Sequence, residues 1–333
     1  MDLSTAKTAA KGHQRVVFLQ DAAIDEYICT MLLTLMPGIE LAGVIIVNAD
    51  CLAEPAMQAA SKLQQFLRRK DVPVALSRAR GWNAFPWDYR SDCISFGEIP
   101  SLKEFKPEVT TPPLDGEELL VKLLKAAISD KDPLTLLITG PLTPLQMVLE
   151  RNPELAYGIV SIVWVGGAID VDGNLDPKTL PSAVANTHAE WNAFWDPYAV
   201  DYALKHFHDI RVFPLDISNT APVKKEFLNS LQELGKKSRY AQLAFEAYSL
   251  VTKEEFYRLW DVTATCWLTR PDLYTAPRSL PLEVVTWGFE QGWIRSLAAT
   301  ESDARRQQVY FSFSDLPGFY EYILQLLSAP SDQ

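Results

Sequence analysis

The chain has 333 residues, is 48% hydrophobic and 22% charged, and carries a formal net charge of −11. Such a composition suits a soluble protein with a sizeable core, one large α/β domain or two smaller ones. Basic residues cluster only in short pairs, Lys224-Lys225, Lys236-Lys237 and Arg305-Arg306, which excludes a polyanion-binding surface and, with it, nucleic acid as a partner.

Residues 16–19 are a short apolar run, read as a first strand. Ile24, Tyr27, Ile28, Met31, Leu32 and Leu35 then recur at helical spacing. Residues 41–47, "LAGVIIV", predict a second buried strand, 55–67 a helix and 72–76 a third strand. A helix over 117–128 leads into a strand over 134–138, and another strand over 159–165 ends in Gly166-Gly167. This alternation implies a mainly parallel sheet covered by helices, an α/β fold of Rossmann-like type. The second half is less regular. Helical patterns cover 197–206, 224–250 and 253–268, strand patterns cover 210–215, 284–287, 293–298 and 308–313, and a helix closes the chain near 319–327. One domain is expected over 14–330, with 1–13 as a flexible tail. Two long loops, 77–115 and 166–188, mark candidate functional segments.

No apolar run reaches membrane-spanning length, and the N-terminus lacks the apolar core of a signal peptide. Cys29, Cys51, Cys93 and Cys266 lie far apart without CxxC or zinc spacing, which suits a reducing compartment. A cytoplasmic protein with no membrane partner is therefore expected.

In an open parallel sheet, ligands bind beyond the carboxyl ends of the strands. Asp21 stands at such an end, in "VVFLQDAAIDEYICTMLL", and Asp25 and Glu26 open the next helix. Acids there also interact well with the helix dipole, and that simpler role would account for Asp25 and Glu26 but not for the other strand ends. The second strand ends in "NADC" with Asp50, the fourth in "ITGPLTP" with Thr139, the fifth in "VGGAIDVDGN" with Asn174. Converging oxygen donors without His or Cys suit a hard cation such as calcium rather than zinc.

These residues resemble the nucleoside hydrolase family, whose first strand carries D-x-D-x-x-x-D-D. The likeness continues through "NADC", "NAFPWDYR", "ITGPLTP", "VWVGGAIDVDGN", "HAEWNAFWDP" and "YRLWDVTAT". It is greatest to the purine-preferring, inosine-adenosine-guanosine branch, which has Trp-Asp where other members have His-Asp; here the pair is Trp260-Asp261. The resemblance implies calcium-dependent cleavage of a purine ribonucleoside to ribose and free base, by a homodimer or homotetramer. Asp21 falls on the general base, which also touches calcium. Glu26, the Thr139 carbonyl and Asp261 fall on the other metal ligands. Asp25, Asn174, Glu190 and Asn192 fall on ribose-binding positions. Trp260, Tyr89 and Trp191 are expected beside the base, and Asp50 at its edge.

Departures cluster in the opening motif. Leu19 stands for the first Asp, Glu26 for an Asp, and Ala22-Ala23 for a Pro-Gly or Gly-Asn pair; elsewhere Tyr89 stands for Trp and Pro144 for Asn. Simpler readings stay open at this point. Trp260 fits a core position on an amphipathic helix, Trp87 competes with Tyr89 for the stacking role, and Asn192 could cap the Asp196-Pro197 turn. A catalytically weakened nucleoside- or sugar-binding relative, or a hydrolase of another N-riboside, also fits the sequence.

Overall fold

The structure, a computed structural model, describes residues 13–85, 90–175, 186–251, 257–297 and 305–330. Its centre is a nine-stranded sheet in the order β3-β2-β1-β4-β5-β6-β9-β7-β8. The strands are β1 (Gln14–Gln20), β2 (Ile39–Ile46), β3 (Val74–Leu76), β4 (Leu134–Ile138), β5 (Ile159–Val165), β6 (Arg211–Phe213), β7 (Arg278–Val284), β8 (Ile294–Ser296) and β9 (Arg306–Val309). Pairing is parallel from β3 through β9, and antiparallel from β9 to β7 and β7 to β8.

β1 shows why the early strands read as unbroken apolar runs. Val16 and Phe18 enter one core, Val17 and Leu19 the other, and all four are fully buried. A central parallel strand is covered on both faces, so the period-2 alternation divides two apolar layers rather than inside from outside. The first layer holds α1 (Ile24–Leu35), α2 (Ala53–Leu67) and α3 (Asp92–Gly97). The second layer holds α4 (Gly116–Asp130) and α5 (Thr143–Arg151) and, beyond the short α6 (Trp191–Trp195), α7 (Pro197–His206). The chain then returns to the first face with α8 (Leu215–Ser218), α9 (Lys225–Gly235), α10 (Arg239–Ser249), α11 (Trp260–Trp267) and α12 (Leu316–Leu327).

Several expectations are corrected. The helix expected over 224–250 is two helices: α9 stops at Gly235, a poor helix residue, and Ser238 caps α10 by accepting from Ala241 N at 3.4 Å. Of the helix expected over 253–268, residues 253–256 lie outside the described residues, and α11 covers Trp260–Trp267, with Arg258 bridged to Pro222 just before it. β7 ends where a strand over 284–287 was expected to start, because Gly288 and Gly292 turn the chain at φ 87° and 86°. β9 starts two residues before the expected 308 and ends at Val309. α5 is not legible in the sequence because Pro144 suggests a turn, although proline is accepted in a helix's first turn.

Strand order reverses at β1, between β2 and β4, and there the β4–α5 turn is fixed by a core side chain. Trp164, fully buried on β5, donates its indole N–H to the Gly140 carbonyl at 3.2 Å. Trp164→Phe should lower unfolding free energy by about 1 kcal/mol for the lost hydrogen bond, and Trp164→Ala by about 3–5 kcal/mol. Urea titration of the two variants against wild type checks both.

Candidate active site

A cavity of about 500 Å³ opens over the carboxyl ends of β1, β2, β4, β5 and β6. Asp21, Glu26, Asp50, Thr139, Asn174, Glu190, Trp191, Asn192, Trp260 and Asp261 all line it. Residues more than two hundred positions apart thus meet because parallel strands deliver their ends to one rim.

The acidic cluster is contiguous. Asp21 Oδ2 accepts from Asp50 N at 3.2 Å, and Glu26 Oε1 accepts from Asp21 N at 3.4 Å and from the Thr139 hydroxyl at 3.1 Å. The longer side chain at position 26 therefore reaches across to β4. Gly140 packs against the cluster: a Cβ there would stand 3.3 Å from Asp21 Cγ. Leu19 points into the second core and not into the cavity.

Glu190 caps α6, taking Asn192 N at 2.9 Å, Ala193 N at 3.2 Å and Gly167 N at 2.9 Å. Gly167 has φ 84°, a conformation open to glycine, and it aims that amide at the carboxylate. Asn192 donates through Nδ2 to the carbonyls of Thr139 at 2.7 Å and Val165 at 3.1 Å, tying the ends of β4 and β5 together. Asn174 Oδ1 accepts from Trp191 N at 3.1 Å. The Trp191 ring stacks on Phe85 at 4.9 Å, and the Trp260 indole donates to Asn219 Oδ1 at 2.9 Å.

With this geometry, the comparisons with known proteins decide the family. The profile described as inosine-uridine preferring nucleoside hydrolase matches residues 16–314. The chain belongs to the nucleoside hydrolase family. It is 25% identical to the non-specific ribonucleoside hydrolase RihC of Escherichia coli over 317 residues, 95% of this chain and 99% of that one. The crystal structure of an inosine-uridine preferring nucleoside hydrolase from Bacillus anthracis superposes with a TM-score of 0.82 at 29% identity, covering 95% and 99% of the two chains. A purine-preferring ribonucleoside hydrolase from Gardnerella vaginalis shares the fold, with a TM-score of 0.74 at 18% identity over 95% and 98%. These relatives support a ribonucleoside hydrolase enzyme here.

In this nucleoside hydrolase Asp25 is held by three protein donors. Its carboxylate is fully buried and does not line the cavity. Oδ1 accepts from the Tyr248 hydroxyl at 2.6 Å, and Oδ2 accepts from Asp261 N at 2.8 Å and Val262 N at 2.9 Å. Asp25 therefore caps the start of α11 and sets the position of Trp260 and Asp261. Tyr89 and its competitor Trp87 lie outside the described residues. None of the four histidines lines the cavity; His188 stacks on Trp293 at 4.5 Å. Asp92, Ser218, Asn219, Tyr257 and Arg258 line it and were not singled out from the sequence. Ser218 and Asn219 follow β6, so the strand-end rule applied to "DISN" would have found them.

Burial sets the electrostatics. It raises the carboxyls of Asp21, Glu26, Asp50 and Asp261 well above the ordinary range, and like charge adds to it: Asp50 and Asp261 act on Asp21, Asp21 on Glu26, and Glu26 on both Asp50 and Asp261. Burial also raises Asp25 to about 6, against the stabilising bonds from Tyr248, Val262 and Asp261. Enzymes of this family are generally metal-dependent. Among the described residues, no three His, Cys, Asp or Glu side chains already stand at metal-binding separation. The donors do fit a hard cation in kind: they are oxygens that repel one another, and Glu26 Oε2 is buried without a hydrogen-bond partner among the described residues.

Asp25→Ala should cost about 2–4 kcal/mol, because two α11 amides and the Tyr248 hydroxyl lose a buried charged acceptor. Asp25→Asn, which keeps an acceptor oxygen for the amides, should lose less; a side chain serving only the substrate would leave both unfolding curves unchanged. In chelator-treated protein, the folded state should hold protons on these carboxyls that the unfolded chain has released. For Asp25, the stability from proton uptake is fully present below the ordinary value of 3.8 and is lost as pH rises through about 6. Melting temperature measured in chelator should therefore fall from mildly acidic pH toward neutrality.

Proposed function

We propose that this protein is a calcium-dependent hydrolase that cleaves the N-glycosidic bond of purine ribonucleosides to give ribose and free base. The observation that carries the reading is a single cavity combining buried carboxylates with indole walls and no histidine. Asp21, Glu26, Asp261 and the Thr139 carbonyl would hold the calcium, which would supply positive charge to offset the carboxylates and to polarise water and ribose oxygens.

The chain's own residues would do the rest. Asp21, raised by burial and held by Asp50 N, is suited to take a proton from the attacking water as general base. Asn174, Glu190 and Asn192 would hold the ribose hydroxyls, with carboxylates stabilising the oxocarbenium-like charge that develops on the sugar. All three are themselves pinned by hydrogen bonds, Asn174 to Trp191 N, Glu190 to α6 and Asn192 to two strand ends, which keeps them in place without help from substrate. The leaving base must gain a proton or leave as an anion. Without a histidine acid, the Trp260 and Trp191 rings supply a different route: stacking binds either purine or pyrimidine faces, and electron-rich rings favour the protonated purine. The larger face of a purine gains more from this than a pyrimidine does.

Calcium added to chelator-treated protein should raise the melting temperature by mass action, and Asp261→Ala should abolish the rise. A flat response in wild type from micromolar to millimolar calcium would count against the metal assignment. In a free-base release assay with calcium, inosine, adenosine or guanosine should be cleaved faster than uridine, with Trp260→Ala reducing purine turnover more than ribose binding. Uridine cleavage equal to or better than purine cleavage would replace the purine reading with a non-specific one. Nucleoside binding with no cleavage of any substrate would replace the enzyme with a binding protein.

A further inference from the structure

The backbone at Trp260 is set by Asp25, which accepts from the next two amides of α11, Asp261 N and Val262 N. That contact leaves the ring free to turn. The torsion that orients an indole is broad and roughly two-fold, so a further contact must choose the face the cavity receives. Asn219, 41 positions earlier in the chain, supplies it: its Oδ1 accepts the indole N–H at 2.9 Å. Both residues line the cavity. The Tyr257 ring meets the indole edge-on, at 5.0 Å and 65°.

Asn219 is itself fixed by the segments around it. Its N donates to the Leu215 carbonyl at 3.1 Å, closing α8, and its carbonyl accepts from Arg258 Nε at 3.2 Å. The chain after it runs antiparallel to the residues before α11. Leu259 N donates to the Ala221 carbonyl at 2.8 Å, and Val223 N to the Tyr257 carbonyl at 3.2 Å. The local backbone gives no reason for an asparagine here. Its φ of −65° and ψ of −16° suit any residue, and the residue is exposed. The indole is the side chain's one hydrogen-bond partner among the described residues. An indole N–H can only donate, so the amide oxygen must face the ring.

We propose that Asn219 is the positioning residue for the base-stacking ring: it selects the orientation of Trp260 that receives a purine, and so sets affinity for the base without altering affinity for the ribose. This rests on the reading of the cavity as a nucleoside site. Stacking needs overlap of ring faces, and a ring turned away from its partner forfeits it. The groups assigned to the ribose, Asn174, Glu190 and Asn192, stand on other elements and keep their own hydrogen bonds, so a turned Trp260 leaves them in place. A purine has the larger face and loses more than a pyrimidine does.

The test uses the full-length protein with calcium present. Calorimetry measures binding of hypoxanthine, as probe of the base site, and of ribose, as probe of the sugar site, beside KM and kcat for inosine and uridine. Asn219→Ala should fold, because the bonds that fix this segment do not use its side chain. It should weaken hypoxanthine binding about three- to tenfold, the worth of one net hydrogen bond, leave ribose binding unchanged and lower the inosine-to-uridine ratio of kcat/KM. Asn219→Asp, which keeps an oxygen acceptor, should recover most of the hypoxanthine affinity. In a Trp260→Phe background, whose ring has no N–H, Asn219→Ala should have no further effect. Equal losses of hypoxanthine and ribose affinity, a loss that persists in the Trp260→Phe background, or no loss at all would each overturn the proposal, as would wild-type protein that binds no hypoxanthine. Calorimetry needs no turnover. Absent cleavage with these binding results intact would therefore sink the hydrolase reading alone, and inosine cleavage with hypoxanthine affinity unmoved by Asn219→Ala would sink this proposal alone.

Discussion

Like charges buried together at the end of a parallel sheet are the constraint on which the rest of this structure depends. Asp21, Glu26 and Asp261 are each less than a tenth exposed and line one cavity with Asp50. An isolated buried carboxylate is costly unless hydrogen bonds or opposite charge offset it. The fold meets much of that cost with backbone N–H groups: Asp50 N for Asp21, three amides around the start of α6 and at Gly167 for Glu190, and two at the start of α11 for Asp25. Helix N-termini and strand ends carry such unpaired donors in any α/β protein. Here they converge because the parallel strands all end on the same side.

The same arrangement couples parts of the site that belong to different tasks. Trp260 and Asp261 are adjacent at the start of α11, so the indole wall and the acidic cluster move as one unit. Asp25 holds that unit from α1, with Tyr248 of α10 completing the contact. On the opposite wall, Asn192 joins β4 to β5 and Glu190 joins α6 to Gly167. These cavity-lining side chains are thus backed by hydrogen bonds into rigid secondary structure, the condition for holding groups in place.

The departures in the opening motif take on distinct physical meanings. Leu19 is a core residue, facing the second apolar layer, so its substitution is a packing matter behind the cavity. Glu26 faces the cavity, and its extra methylene lets it meet both Asp21 N and the Thr139 hydroxyl. Ala22 adopts φ 73°, a left-handed conformation that disfavours a Cβ, and so keeps strain at the turn that presents Asp21.

The sequence by itself determined the alternation of strands and helices in the first half, because each buried strand must be apolar on both faces and each covering helix on one. It also pointed to Asp21 and Thr139, directly after apolar strands, and to Asp50 and Asn174 in the loops that follow two others, since ligands bind beyond the carboxyl ends of parallel strands. Ordered motifs along the chain were enough to name the family. Only the tertiary structure decided that Asp25 bonds to α10 and α11, because sequence spacing does not say which neighbouring helices a carboxylate at a helix start will meet. It also set the bridge from Pro222 to Arg258 just before α11, and it brought Asp92, Asn219 and Tyr257 to the cavity. Cavity walls are built from segments far apart in the chain, and local pattern carries no record of which of them will meet.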